Sequence, residues 1–135
     1  MGFTDKFRIH HNEILGVAGQ IGDELKGKAD ASALRMLLSN LAGKLNFHLA
    51  LEDKALYPRL MERKDSEANA LATKFMNEMG GLGQAFTAYN NKWTVSAIRA
   101  DAVGFANETR AIFAALTQRI ARENRELYPL ADRES

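Results

Sequence analysis

Four stretches of the chain place apolar residues at alternating steps of four and three, the spacing of the buried seam of a bundle helix. The first runs through Phe7, His11, Ile14, Ala18, Ile21 and Leu25, with Thr4 and Asp5 as its expected N-cap. The second comprises Leu34, Leu38, Leu41, Leu45, His48, Glu52 and Leu56. Larger side chains make the third: Leu71, Phe75, Met79 (or Glu78 in the neighbouring phase), Leu82, Phe86, Tyr89 and Trp93. Phe105, Thr109, Ile112, Leu116, Arg119, Glu123 and Leu127 make the fourth.

The segments between the seams are short. Gly27 to Asp30 closes the first helix and caps the second, and the charged run Arg59 to Asp65 leads to a helix start at Ser66 and Asn69. Trp93 to Ala100 reads as a connection, with Ser96 or Asp101 capping the last helix. No stretch shows the period of two expected of a strand. The pattern predicts an all-α, up-down-up-down four-helix bundle, a single domain over residues 1–135. Gly80, Gly81 and Gly83 interrupt the third seam at about 1 kcal/mol each relative to alanine, which predicts a kink or a close helix approach. Gly16, Gly19 and Gly22 lie off the first seam and imply close packing, simple tolerance or a partner-binding face.

The seams are not purely apolar. His11, His48, Glu52, Arg119 and Glu123 occupy positions that face the core, whereas His10 points about 100° away from His11. Buried ionisable groups have to pair with one another or with a metal. Two histidines and two glutamates from three helices converge near one end of the bundle, and bundle cores are where helix-borne imidazole and carboxylate metal sites are built. His10, off the seam, is expected to play no part.

A repeat ties these residues together. His48-Leu-Ala-Leu-Glu52-Asp-Lys-Ala-Leu56-Tyr57-Pro58 recurs 71 residues later as Arg119-Ile-Ala-Arg-Glu123-Asn-Arg-Glu-Leu127-Tyr128-Pro129. Each copy sets a basic or imidazole side chain one turn before a glutamate on the same face. Pro58 and Pro129 are the only prolines, so each frame is expected near the last turn of its helix.

Composition narrows the chemistry further. The absence of cysteine removes disulfides, thiolate metal sites and cysteine catalysis. A net charge of +1 with scattered Lys and Arg gives no sign of a nucleic-acid partner. No apolar run approaches 18 residues and no leader pattern opens the chain, so a cytoplasmic protein without a membrane partner is expected. There is no glycine-rich phosphate loop, and no serine nucleophile stands beside a base, so the chain is not expected to be an enzyme.

The seam His11-Asn-Glu-Ile-Leu, the H-x-x-x-E of His48 and Glu52 with its Leu-Tyr-Pro tail, and the matching Glu123 frame resemble the haemerythrin-type, HHE cation-binding family, over about Phe7 to Asp132. The resemblance implies a dinuclear non-haem iron site in the bundle core. His11 and His48 would bind one iron, and Glu52 and Glu123 would bridge both. The second iron would take histidines from the third and fourth helices, but Met79 (preceded by Glu78) and Arg119 stand there, and the chain has only three histidines. Methionine sulfur is a poor ligand for hard iron, and arginine is not a ligand. A full di-iron centre and reversible oxygen carriage are therefore not expected.

Arg119 would instead act as a cation substitute in the second-metal position, its fork holding Glu52 and Glu123. Electrostatics permits one divalent metal, iron or zinc, on His11, His48, Glu52 and Glu123, or none. The leading expectation is a metal-, oxygen- or redox-linked sensing or regulatory protein, with a regulatory protein partner or a homodimer. Alternatives are a metal-free interaction or signalling module, and a mononuclear iron enzyme acting on oxygen or peroxide.

Overall fold

The computed structural model describes residues 2–27, 30–64 and 66–133. Asp65, and Lys28 and Ala29 of the first connection, lie outside the described residues. The elements are α1 (Asp5–Lys26), α2 (Ala31–Leu51), α3 (Tyr57–Leu60), α4 (Glu67–Met79), α5 (Leu82–Lys92), α6 (Val95–Ala100), α7 (Ala102–Arg122) and α8 (Tyr128–Arg133). A π-helical turn, Glu52–Leu56, joins α2 to α3, and a second, Glu123–Leu127, joins α7 to α8. No strand occurs among the described residues.

Four rods result. α1 packs on α2, α2 on α5, α5 on α7, and α7 back on α1, the closed ring of an up-down-up-down bundle. Local signals start the rods: Asp30 accepts hydrogen bonds from the N–H groups of Ser32 and Ala33, Ser66 from Asn69, and Asp101 from Gly104. Thr4 precedes α1 but makes no cap bond through its side chain. Its Oγ1 and N–H both bind the Asp132 carboxylate at 2.9–3.0 Å, which ties the start of the first rod to the end of the last.

The prolines do not stop their helices, which run on past them to Leu60 and Arg133. Proline has no N–H, and its ring would press on the carbonyl four residues back. The wider π turn accommodates both facts: Tyr57 N–H bonds Glu52 O and Tyr128 N–H bonds Glu123 O, each five residues back. The third rod breaks between α4 and α5 at Gly80 and Gly81. A Cβ on Gly80 would collide with the Met76 carbonyl oxygen, so the break requires glycine there. Gly16, Gly19 and Gly22 face open space, so within this chain they are tolerated and do not serve close packing. Trp93 to Ala100 is not a plain connection, because Thr94 caps the short helix α6 by accepting from Ala97 N–H.

Two apolar clusters stack along the bundle. The longer holds Ile14, Leu38, Leu41, Leu45, Phe86, Phe105 and Leu116; the other holds Phe7, Leu56, Phe75 and Leu127. On α1, His11 falls between Phe7 of one cluster and Ile14 of the other. His48 and Glu52 fall between Leu45 and Leu56, and Glu123 between Ile120 and Leu127. The polar layer is thus sealed above and below by apolar side chains.

Candidate metal centre

His11, His48, Glu52 and Glu123 are between 0% and 2% exposed, and one ligand atom from each lies within 4.8 Å of all the others. Each is placed by its rod. His11 comes from α1 and His48 from the last turn of α2. The two glutamates open the two π turns. His11 Nε2 is 3.1 Å from Glu123 Oε1, and His48 Nε2 is 3.4 Å from Glu52 Oε2.

Neighbours fix the imidazoles. Asn124 Oδ1 lies 2.9 Å from His11 Nδ1, so that nitrogen donates to it, and Nε2 is turned inward toward Glu123. His48 Nδ1 lies 3.3 Å from Nδ1 of His10. Half-buried His10 therefore touches the site through His48, contrary to what its position off the seam suggests.

Arg119, 5% exposed, spans the two carboxylates on the other side. Its Nε donates to Glu123 Oε2 at 3.4 Å, its Nη2 lies 3.5 Å from Glu52 Oε1, and its Nη1 donates to the Met79 carbonyl at 3.1 Å. The guanidinium thus bridges Glu52 and Glu123, one nitrogen to each carboxylate, as its place on the seam predicts. Glu123 is one turn along the same rod and is reached by Nε, whereas Glu52 approaches from another rod and meets only Nη2. Met79 thus contributes its backbone to the site, and its half-buried side chain packs on the smaller cluster. Glu78 points to the surface and pairs with Arg122 at 2.6 Å. On the outside, Arg119 reaches the floor of a groove of about 740 Å³ also lined by Leu49, Asp53, Gly83 and Gln84.

Two tyrosines complete the layer. Tyr128 Oη donates to Glu52 Oε2 at 2.5 Å, and Tyr57 Oη donates to Glu123 Oε2 at 3.4 Å, so each repeat sends its tyrosine to the other repeat's glutamate. The sequence signal was the recurring Leu-Tyr-Pro. In an α-helix, however, a residue five positions on points about 140° away from its glutamate. Only the π turn brings both onto one face.

The charges are strained by enclosure. Burial raises the Glu52 pKa, against the Tyr128 hydrogen bond and Arg119; burial and then the charge of Glu52 raise that of Glu123. Burial, followed by the proximity of His11, lowers His48 to about 4. Burial works against the charge of Arg119, but Glu123, Tyr57 and Glu52 outweigh it and hold the guanidinium above its ordinary value. Both tyrosines are pushed up, by burial first and then by the glutamates.

The donor set fits a metal ion. Bonds of about 2.0–2.2 Å place neighbouring ligand atoms about 2.8–3.6 Å apart, from right-angled to tetrahedral, and opposite ones about 4.2 Å apart, so this set needs to close by roughly half an ångström. Glu52 Oε1 is buried without a hydrogen-bond donor, its nearest cation being Arg119. Imidazole nitrogens and carboxylate oxygens suit iron, zinc and similar ions.

A sealed layer of imidazole and carboxylate in a four-rod core is the architecture of a helical cation-binding domain. The model of the hemerythrin HHE cation binding domain matches residues 3–131, and the chain belongs to that family. No curated protein and no solved structure matches it. Among the described residues no helix is long and apolar enough to cross a membrane.

Proposed function

We propose that this domain binds a single metal ion on His11, His48, Glu52 and Glu123, and that it works as a metal-, oxygen- or redox-linked sensing or regulatory module. The carrying observation is that Arg119 lies between the two glutamates, where its fixed charge does part of the work of a second ion. The ion, when bound, supplies Lewis acidity and, if iron, a one-electron couple. The chain's own part is to hold it: Asn124 and His10 orient the two imidazoles, and the apolar clusters exclude water. A site whose four ligands are at most 2% exposed suits a metal or a diatomic gas better than an organic substrate, which supports sensing over turnover. The output would pass to a regulatory protein partner or through a homodimer.

Elemental analysis of protein purified without a histidine tag is the test. One iron or zinc per chain is expected, with no turnover of peroxide beyond that of the free ion. Two metals per chain, or the optical bands of an oxo-bridged pair, would refute the reading.

A second reading draws on the direct contact of His11 with Glu123 at 3.1 Å. A proton on that imidazole, together with Arg119, balances both glutamates without any metal. The chain would then be a metal-free interaction module, and metal-free protein at full stability would favour it.

A further inference from the structure

The two repeat tyrosines differ in what their hydroxyls reach. Among the described residues, Tyr57 Oη hydrogen-bonds Glu123 alone. Tyr128 Oη lies 2.5 Å from Glu52 Oε2, 2.9 Å from His11 Nε2 and 3.5 Å from His48 Nε2, on a fully buried side chain whose ring stacks on His11. Two of those spacings fall in the range that neighbouring ligands of a single ion adopt, about 2.8–3.6 Å, and the contact with Glu52 is shorter. The hydroxyl has one proton and spends it on Glu52. His11 donates from Nδ1 to Asn124, and its Nε2 lies 2.9 Å from Tyr128 Oη and 3.1 Å from Glu123 Oε1. Oxygen and nitrogen atoms converging in this way form a pocket that a cation fits.

We propose that Tyr128 Oη is a fifth ligand of the ion, bound as phenolate, which deepens the single-metal reading above and rests on it. On binding, the phenol O–H bond breaks, a water shed by the incoming hydrated ion carries the proton to bulk solvent, and the oxygen lone pair forms the metal bond. Charge balance favours the step. A divalent ion with Arg119 exceeds the two glutamates by one positive charge, and a phenolate cancels it without an outside anion. A hard anionic oxygen also favours a ferric over a ferrous ion.

The probe is ferrous iron added to metal-free protein under nitrogen and then oxidised in air. Wild type is expected to show a visible phenolate-to-iron charge-transfer band, with tyrosine ring modes enhanced in resonance Raman on excitation within it. Measured per bound iron, Tyr128→Phe should lose the band and Tyr57→Phe should keep it. One iron per chain with no band or tyrosine modes in wild type, or an unchanged band in Tyr128→Phe, overturns the phenolate assignment and leaves the single-metal reading standing. Wild type that takes up no iron overturns the phenolate assignment, and wild type that takes up neither iron nor zinc overturns both. The Raman measurement needs no variant, so a poorly folding Tyr128→Phe does not shield the idea.

Discussion

Removing Arg119 from the metal-free chain strands Glu52 and Glu123, at 0% and 1% exposure, beside each other. Exposed arginine ion pairs contribute roughly 0–1 kcal/mol, whereas breaking a buried pair costs about 3–5 kcal/mol through the charge left behind. The contacts here, 3.4 and 3.5 Å, are longer than the 2.7–2.9 Å of the tightest charge-assisted bonds, which points to the lower end, about 3 kcal/mol. With a urea slope of roughly 2 kcal/mol per molar, Arg119→Ala should lower the unfolding midpoint by about 1.5 M at pH 7 in chelator. Arg119→Met restores most of the stem and should fare little better, because the loss is of charge. The glutamates have raised pKa values, so they take up protons above the ordinary carboxylate range, and the penalty should shrink as the pH falls toward 4.5. A divalent ion should stabilise Arg119→Ala more than wild type, since it supplies the missing charge to a site that otherwise lacks it. A midpoint shift below about 0.3 M at matched slope, or full recovery in Arg119→Met, would show that the guanidinium does not hold the carboxylates and would refute the reasoning.

Other outcomes follow from the same layer. His11→Ala and His48→Ala should each abolish tight metal binding, whereas His10→Ala should weaken it about 10- to 100-fold, because His10 orients His48; equilibrium dialysis separates the three. Burial holds the His48 pKa near 4 against 6.5 in the unfolded chain, so the native state keeps the ring neutral while the unfolded chain takes up a proton. That contribution is complete above pH 6.5 and is lost as the pH falls through about 4, a change of about 3 kcal/mol in wild type relative to His48→Gln, measured without metal. The two glutamates titrate in the opposite sense in both proteins, and a stability difference that stays flat between pH 7 and 4 would contradict the His48 assignment. Replacing Met79→His and Arg119→His together should raise iron uptake toward two per chain by elemental analysis; unchanged uptake would mean that these backbone positions do not present a second site.

The sequence by itself determined the four seams, their order, and the set of ionisable residues that face inward, because helix periodicity is local and each seam can be read without its partners. The same reasoning named His11, His48, Glu52, Glu123 and Arg119, since burying a charge anywhere on a seam demands an answer. Tertiary structure decided what the local pattern could not contain. The π turns arise where a buried helix continues through a proline, and they rotate Tyr57 and Tyr128 onto the glutamate face; an α-helical reading puts them elsewhere. Hydrogen bonds across rods, Tyr128 to Glu52 over 76 residues and His11 to Asn124 over 113, depend on which side chains meet when the rods close. The contact of His10 with His48 was out of reach for the same reason, because it is a property of how α1 lies against α2 and not of the phase of α1. Which guanidinium nitrogen meets which carboxylate was likewise settled by distance between rods, which sequence spacing within a single helix does not specify.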